Sequence, residues 1–359
     1  MGGQALPGGL PVSRRHPHLP DGALVVHAGE QALPARPAGR GPGESPGDQV
    51  LHSPDPPGGL RPSPRRRRGA GAGQERPPVS GRFLGCREVE AGSRAVLLGL
   101  PLDVTGCGRA GVKEGPAAVR QASQFLEEYS LSLRADFRDV AVFDALDLPL
   151  PPGNLPGALK AIEDEAGRVL AARLALLALG GEHLVTLPLV RAAAARYPGL
   201  RVLQLDAHAD LADQYGGEPL THATVMRRVA EEVGPGRLIQ AGIRSGTAEE
   251  AAFAEANTLW VDPRTPAGLE ETRRALRGHP VYLTVDIDVL DPAFAPGVSC
   301  PEPAGWTTGE ALAVLSALAD LEVVALDLVE VCPPADAGAA TAVAAARILR
   351  DAGILFFHP

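Results

Sequence analysis

Four short polar clusters in this chain combine residue types that hold cations and move protons. They are Gly180-Gly181-Glu182-His183, Asp206-Ala207-His208-Ala209-Asp210, Asp286-Ile287-Asp288-Val289-Leu290-Asp291-Pro292 and Val329-Glu330. In an extended segment, residues i, i+2 and i+4 face one side, so Asp206, His208 and Asp210 can converge, and so can Asp286 and Asp288. His183 completes a set of four carboxylates and two imidazoles. Without counter-charge the carboxylates would repel and raise one another's pKa, and two divalent cations would balance them. Carboxylate and imidazole ligands without thiolate favour Mn²⁺ over Zn²⁺ or Mg²⁺, with Fe, Co or Ni also accommodated. Taken singly, each cluster is ordinary: an Asp-x-Asp after a strand commonly makes a turn or a helix cap. Three such clusters together point to a dinuclear metal site. Two metals roughly 3.5–4 Å apart can share a water and lower its pKa towards neutrality. The expected chemistry is hydroxide attack on an electrophilic carbon, hydrolysing a carbon–heteroatom bond without a covalent enzyme intermediate. No Gly-x-Ser-x-Gly elbow competes as a nucleophile. Gly106-Cys107-Gly108 lacks a third glycine and reads as a flexible loop.

The elements that must position these residues alternate regularly from about Arg94. Candidate strands are Ala95–Leu100, Val140–Phe143, Leu174–Leu179, Arg201–Leu205, Leu238–Gly242, Thr258–Val261, Val281–Val285 and Val323–Leu328. They are short, continuous and rich in Val and Leu, as strands buried on both faces should be. Helical patterns lie between them at Gly115–Leu126, Leu155–Ala172, Thr186–Arg196, Thr221–Val233, Ala248–Ala256, Gly268–Leu276, Thr308–Ala319 and Gly338–Ala352. Eight strands, each followed by a helix, imply parallel crossovers, and periodicity alone leaves a doubly wound sheet and a closed barrel both open. In either, ligands bind at the carboxyl ends of strands, where all four clusters fall.

Composition sets the frame. Residues 1–80 hold 15 Gly, 15 Pro and ten Arg against six acidic residues, too few apolar side chains to offset the entropy of ordering. They are expected to form a disordered arm, or to precede an internal start at Val79 or Val89. The rest, residues 81–359, carries 24 basic and 37 acidic residues and is expected to be one catalytic domain. Such an acidic unit repels nucleic acid and steers cationic ligands. No run approaches the roughly 18 apolar residues of a membrane span, and the N-terminus lacks the apolar stretch of a secretory signal. The four cysteines, Cys86, Cys107, Cys300 and Cys332, have no CxxC spacing. A reducing, cytoplasmic setting is expected.

Across about residues 92–356 the chain resembles the ureohydrolases, the family of arginases and agmatinases. The carrying segments are the Gly-Gly-Glu-His at 180–183, Asp-Ala-His-Ala-Asp at 206–210, Thr-Val-Asp-Ile-Asp-Val-Leu-Asp-Pro at 284–292, Pro-Gly-Val-Ser-Cys-Pro-Glu-Pro at 296–303 and Asp-Leu-Val-Glu-Val at 327–331. The resemblance implies a three-layer α/β/α sandwich with an eight-stranded, mostly parallel sheet. It also implies two Mn²⁺ per subunit, hydrolysing a guanidinium group to urea and an amine. Carried over by position, His183, Asp206, Asp210 and Asp286 would hold one metal, and Asp206, His208, Asp286 and Asp288 the other. His222 matches a mobile proton-shuttling histidine, Asp288 a proton acceptor, and Glu330 the carboxylate that pairs with the guanidinium. Glu182 stands where Asp is usual and Leu184 where Ser is common, departures expected to bear on the surroundings of the metals.

The implied partner is a small cationic guanidino compound, and family members commonly form trimers or hexamers. Arginase-like sequences place an Asn at the position of Ala212 and a Ser-Gly-Asn stretch where Gly217-Glu218-Pro219 stands. The segment Tyr215 to Glu218, followed by Thr221 to Arg228, looks like agmatinases instead, with Glu218 as a candidate substrate-binding residue. Arginine, guanidinobutyrate and formiminoglutamate are the alternative substrates. An inactive metal-bound protein, its Arg-rich arm on an anionic partner, is the reading from another class.

Overall fold

The computed structural model describes residues 81–359, so the expected arm at 1–80 and the internal start at Val79 lie outside the described residues. Ten strands occur in chain order: β1 (Ala95–Leu100), β2 (Tyr129–Ser130), β3 (Ala135–Asp136), β4 (Val142–Asp147), β5 (Ala175–Gly180), β6 (Arg201–Leu205), β7 (Leu238–Ala241), β8 (Thr258–Val261), β9 (Pro280–Asp286) and β10 (Glu322–Val329). The helices are α1 (Gly115–Ser123), α2 (Leu155–Ala171), α3 (Thr186–Arg196), α4 (Val225–Val233), α5 (Ala248–Asn257), α6 (Pro266–Leu276), α7 (Thr308–Ala317) and α8 (Ala340–Phe357).

All eight expected strands are present and form one sheet in the order β4-β1-β5-β10-β9-β6-β7-β8. Every pairing in it is parallel. The sheet is open, which removes the barrel. Alternate residues of each strand enter two separate cores. Leu97, Leu177, Leu203 and Leu283 pack with α1, α6, α7 and α8 on one face. Val96, Leu176, Val202 and Tyr282 pack with α2, α3, α4 and Ala254 of α5 on the other. This is the three-layer arrangement, and burial on both faces is why the strands read as continuous apolar runs.

The departures from pattern are local. β4 begins at Val142 because Phe137–Val140 forms a tight 3-10 turn, capped by the Asp136 side chain and closed by Ala141 at φ 59°. β2 and β3 make a two-residue antiparallel hairpin, too short to leave a period. α8 runs past Ala352 to Phe357 because its last turns stay apolar, and its start is held by the Asp336 carboxylate accepting from the Thr341 and Ala342 N–H groups.

The strand order positions the site. β5, β10, β9 and β6 are adjacent at the centre of the sheet, and they are the four strands that the polar clusters follow. Because all run parallel, the four clusters share one edge. No described helix is long and apolar enough to cross a membrane.

Candidate active site

Asp206, at the end of β6, accepts the His208 N–H on Oδ1 at 2.6 Å, while Gln204 Nε2 donates to its Oδ2 at 2.7 Å. Asp286, at the end of β9, accepts the Asp288 N–H at 2.9 Å. Each carboxylate thus caps the amide two residues on. The side chains converge through these two turns, and not by continued extension as the i, i+2, i+4 rule supposes. Asp210 is held at φ 54°, a costly conformation for a residue with a Cβ. Its carbonyl accepts from the Met226 and Arg227 N–H groups at the start of α4, which pins it there. That is also why the helix expected from Thr221 starts at Val225, after a 3-10 turn over His222–Thr224.

Two neighbouring groups of side chains result, each able to hold a metal ion: His183, Asp206 and Asp286, and Asp206, His208 and Asp288. Asp206 belongs to both. Asp210 joins the first group, with Oδ2 3.1 Å from His183 Nδ1. His183 tests whether a cation fits. Its Nε2 lies 3.1 Å from Thr284 Oγ1, whose own proton goes to Asp327 Oδ1 at 2.6 Å. The threonine oxygen must therefore accept from His183 Nε2–H, which turns Nδ1, as a protonated nitrogen or a metal-binding lone pair, to the carboxylates. That Nδ1 is buried with no hydrogen-bond partner, yet carboxylate oxygens of Asp206, Asp210 and Asp286 stand 3.1, 3.1 and 3.3 Å away. Burial opposes a charge on this ring, yet the three carboxylates raise it well above the ordinary histidine range; the site calls for positive charge at Nδ1, a proton or a metal ion in its place, so the residues fit a metal.

The electrostatics agree. Burial pushes Asp206 up to about 7, with repulsion from Asp288 and Asp210 adding to it. Burial and the charges of Asp288 and Asp206 lift Asp286 well above the carboxylate range. Burial opposes charging of the His208 ring, but Asp288, 2.8 Å from Nδ1, wins and raises it to about 10. Carboxylates and imidazoles that cling to protons are what a metal pair would neutralise.

Glu330, at the end of β10, completes the cluster. It sits at φ 66°, its N–H donating to Gly181 O at 2.9 Å. One carboxylate oxygen accepts the His183 N–H at 2.8 Å and the other the Ser299 hydroxyl at 3.0 Å. Burial still dominates and pushes its pKa up to about 8. A cavity of about 760 Å³ opens over this edge, lined by His183, His208, His222, Asp286, Asp288 and Glu330 among others. Among the described residues that line it there is no Lys or Arg.

His222 is held from three sides. Its N–H donates to Thr105 Oγ1 at 3.0 Å, its Nε2 lies 3.2 Å from Cys107 Sγ, and Tyr215 meets its ring edge-on at 5.3 Å. Glu182 explains the first contact. Its buried carboxylate accepts the Val104 and Thr105 N–H groups at 2.8 and 2.7 Å, fastening the loop after β1 against His222. Its extra methylene thus serves that loop. Glu218 is not brought to the site: it is exposed, lies outside the cavity lining and pairs its backbone with Tyr215. The exposed acidic residues that line the cavity are Asp213, which pairs with Arg228 at 3.0 Å, and Glu249.

Sequence reasoning missed the residues behind the ligands. Gln204, Gln240 and Trp260 occupy matching register on β6, β7 and β8. They form a relay in which Trp260 Nε1 donates to Gln240, Gln240 to Gln204 and Gln204 to Asp206, at 2.8, 2.6 and 2.7 Å. On the other side Thr186, Tyr282 and Thr284 all donate to the buried Asp327. A signal was available: Gln204, Gln240, Thr284 and Asp327 each interrupt an apolar strand near its carboxyl end, and buried polar groups need partners.

Fold and site together define an open parallel α/β/α protein with two adjoining cation-ligand groups at the centre of its sheet. The comparisons are specific. The model of the arginase family matches residues 93–354. An agmatinase from Bacillus cereus is 44% identical over 264 residues, covering 72% of this chain and 90% of that protein. A guanidinopropionase from Pseudomonas aeruginosa is 39% identical, covering 70% and 83%. The crystal structure of agmatine ureohydrolase from Thermoplasma volcanium superposes with a TM-score of 0.70 at 28% identity, covering 77% of this chain and 94% of that one. The chain belongs to the arginase family, and its enzyme class is that of the ureohydrolases.

Proposed function

We propose that this enzyme hydrolyses the guanidinium group of agmatine, releasing urea and putrescine, at a dinuclear manganese centre. The observation that carries the substrate is the cavity lining: buried Glu330, exposed Glu249, an Asp213 already paired with Arg228, and no lysine or arginine among the described lining residues. Agmatine is a cation at both ends. Guanidino acids carry a carboxylate that this wall would leave without a partner, a costly loss once water is excluded. The agmatinase relative supports the same reading.

His183, Asp206, Asp210 and Asp286 would hold one Mn²⁺, and Asp206, His208, Asp286 and Asp288 the other. When bound, the pair would supply a water made nucleophilic near neutral pH and polarise the reacting group. The remaining work falls to side chains. Glu330, oriented by the His183 N–H and the Ser299 hydroxyl, accepts two guanidinium N–H bonds and so fixes the carbon over the ligand groups. Asp288 takes the proton that leaves as the carbon becomes tetrahedral. His222, at the cavity wall with its Nδ1 buried and unpartnered, passes protons between this site and solvent for the departing amine.

The test is urea release with Mn²⁺ present, across agmatine, arginine, guanidinobutyrate, guanidinopropionate and formiminoglutamate. Agmatine should give the highest kcat/KM, and a preference for any of the acids would overturn the substrate. In the same assay His222→Ala should lower kcat by on the order of 10²- to 10⁴-fold, the usual worth of a positioned acid–base group. Its metal content by elemental analysis should remain that of the parent, and loss of both metals would contradict a shuttle.

A further inference from the structure

We propose that Cys107 and Cys300 form a disulfide-forming pair in the wall of the cavity, a modification site through which a hydroperoxide reversibly lowers turnover. The inference rests on the reading of the cavity as the guanidinium site only for its effect on activity, not for the bond itself.

The two thiols come from segments 193 residues apart, yet their sulfurs are 3.2 Å from each other. Both line the cavity. A disulfide needs about 2.05 Å, so the sulfurs must approach by about 1.2 Å. The backbone is already prepared for that. Arg109 N–H donates to Ser299 O, and Arg109 Nη1 donates to Pro296 O at 3.0 Å. Between the loops sits Gly108 at φ 72°, where an added Cβ would lie 2.7 Å from Ser299 O and 3.0 Å from Cys300 Sγ. Only glycine lets the loops lie this close. Because both are tied together in the thiol form, little loop ordering remains to oppose the bond. The other two cysteines are placed differently: Cys332 is buried and faces the carbonyls of Arg109 and Ala110, and neither it nor Cys86 lines the cavity.

The chemistry balances with a hydroperoxide as oxidant. The Cys107 sulfur, 3.2 Å from His222 Nε2, attacks the outer peroxide oxygen. The O–O bond breaks, and the alcohol (water, from hydrogen peroxide) leaves with the thiol proton. Cys300 sulfur then attacks the resulting sulfenic acid, so that the S–S bond forms, the S–O bond breaks and water leaves with the second thiol proton. Two thiols are oxidised and one peroxide is reduced. The bond would remove the thiol that faces His222 and join the loop after β1 to the segment whose Ser299 orients Glu330. Shifts on the scale of 1 Å near reacting groups cost on the order of 10²-fold in rate.

The experiment treats the Mn²⁺-loaded full chain with hydrogen peroxide and then resupplies Mn²⁺ before assay, so that metal loss cannot imitate the effect. The expected mass change is a loss of about 2 Da, the two thiol hydrogens, with a Cys107–Cys300 cross-link found by peptide mapping. Urea release should fall by roughly tenfold or more and return with dithiothreitol. Cys300→Ser, measured against its own untreated rate, should instead show no loss of 2 Da and no cross-link, Cys107 gaining about 16 Da as its sulfenic acid. Four free thiols after treatment, a cross-link between other cysteines, unchanged turnover in the cross-linked enzyme, or the same 2 Da loss in Cys300→Ser would each overturn the proposal. A cross-link in a protein that releases urea from none of the guanidino compounds would instead sink the functional reading and leave the pair standing.

Discussion

Asp206→Ala should leave both metal positions empty and reduce urea release by on the order of 10³-fold or more, the scale expected when cation catalysis is withdrawn. Asp206 is the one residue found in both ligand groups, and it is fully buried. Its Oδ2 is 3.1 Å from His183 and its Oδ1 3.8 Å from His208, so a single side chain faces both positions. Removing it takes a negative charge from each and leaves Gln204 Nε2 only the His208 carbonyl, at 3.2 Å, to donate to. Elemental analysis after dialysis checks the outcome. One metal retained per chain would refute sharing by Asp206. Asp286→Ala provides the contrast. It should also empty both positions if Asp286 bridges, although its oxygens fall within the His183 group alone; retention of one metal would reassign it as a single-site ligand.

Glu330→Gln should retain metals and lose roughly 10²- to 10³-fold in kcat/KM, corresponding to about 3–4 kcal/mol for one partner removed from a buried charge pair. The loss should appear for every guanidino substrate, because Glu330 addresses the group they share. Its environment also sets a pH dependence. Burial raises the carboxyl to about 8, and only the ionised form pairs with guanidinium. Raised acidity of the medium therefore protonates it and removes the anchor, so kcat/KM should climb with pH as the proton leaves. Cations in the neighbouring ligand groups favour the carboxylate and move that limb to lower pH. A pH profile of kcat/KM checks the sign; activity that rises on acidification would rule out a carboxylate anchor at this position.

The ligand groups were legible because their chemistry is written locally. Asp-Ala-His-Ala-Asp and Asp-Ile-Asp each fall on one short loop, and a parallel α/β pattern sends all such loops to one edge. The eight strands were legible for a related reason, since burial on two faces gives unbroken apolar runs. What was hidden is pairing at long range. Nothing in the local pattern says that Glu182 fastens residues 104 and 105, that His183 takes its tautomer from Thr284 and Asp327, or that Trp260 stands at the end of an amide relay to Asp206. Those relations depend on strand order, which periodicity does not carry. Glu218 shows the converse: a carboxylate near the site in sequence, turned out to solvent by a tight backbone turn between Tyr215 and Glu218.

The strand order has a consequence for biogenesis. β5 and β6 leave the ribosome early and consecutively, yet in the finished sheet they are separated by β10 and β9. Four of the six proposed ligands, from His183 to Asp210, are thus synthesised well before Asp286 and Asp288 exist. Until β9 and β10 arrive, the nascent sheet has a two-strand gap, with unpaired edges that invite wrong partners. β9 brings Asp286 and Asp288 beside β6, and β10 then closes the gap to β5 and His183. A chain released before Val329 would therefore lack a continuous sheet, with His183 left apart from Asp206 and Asp286.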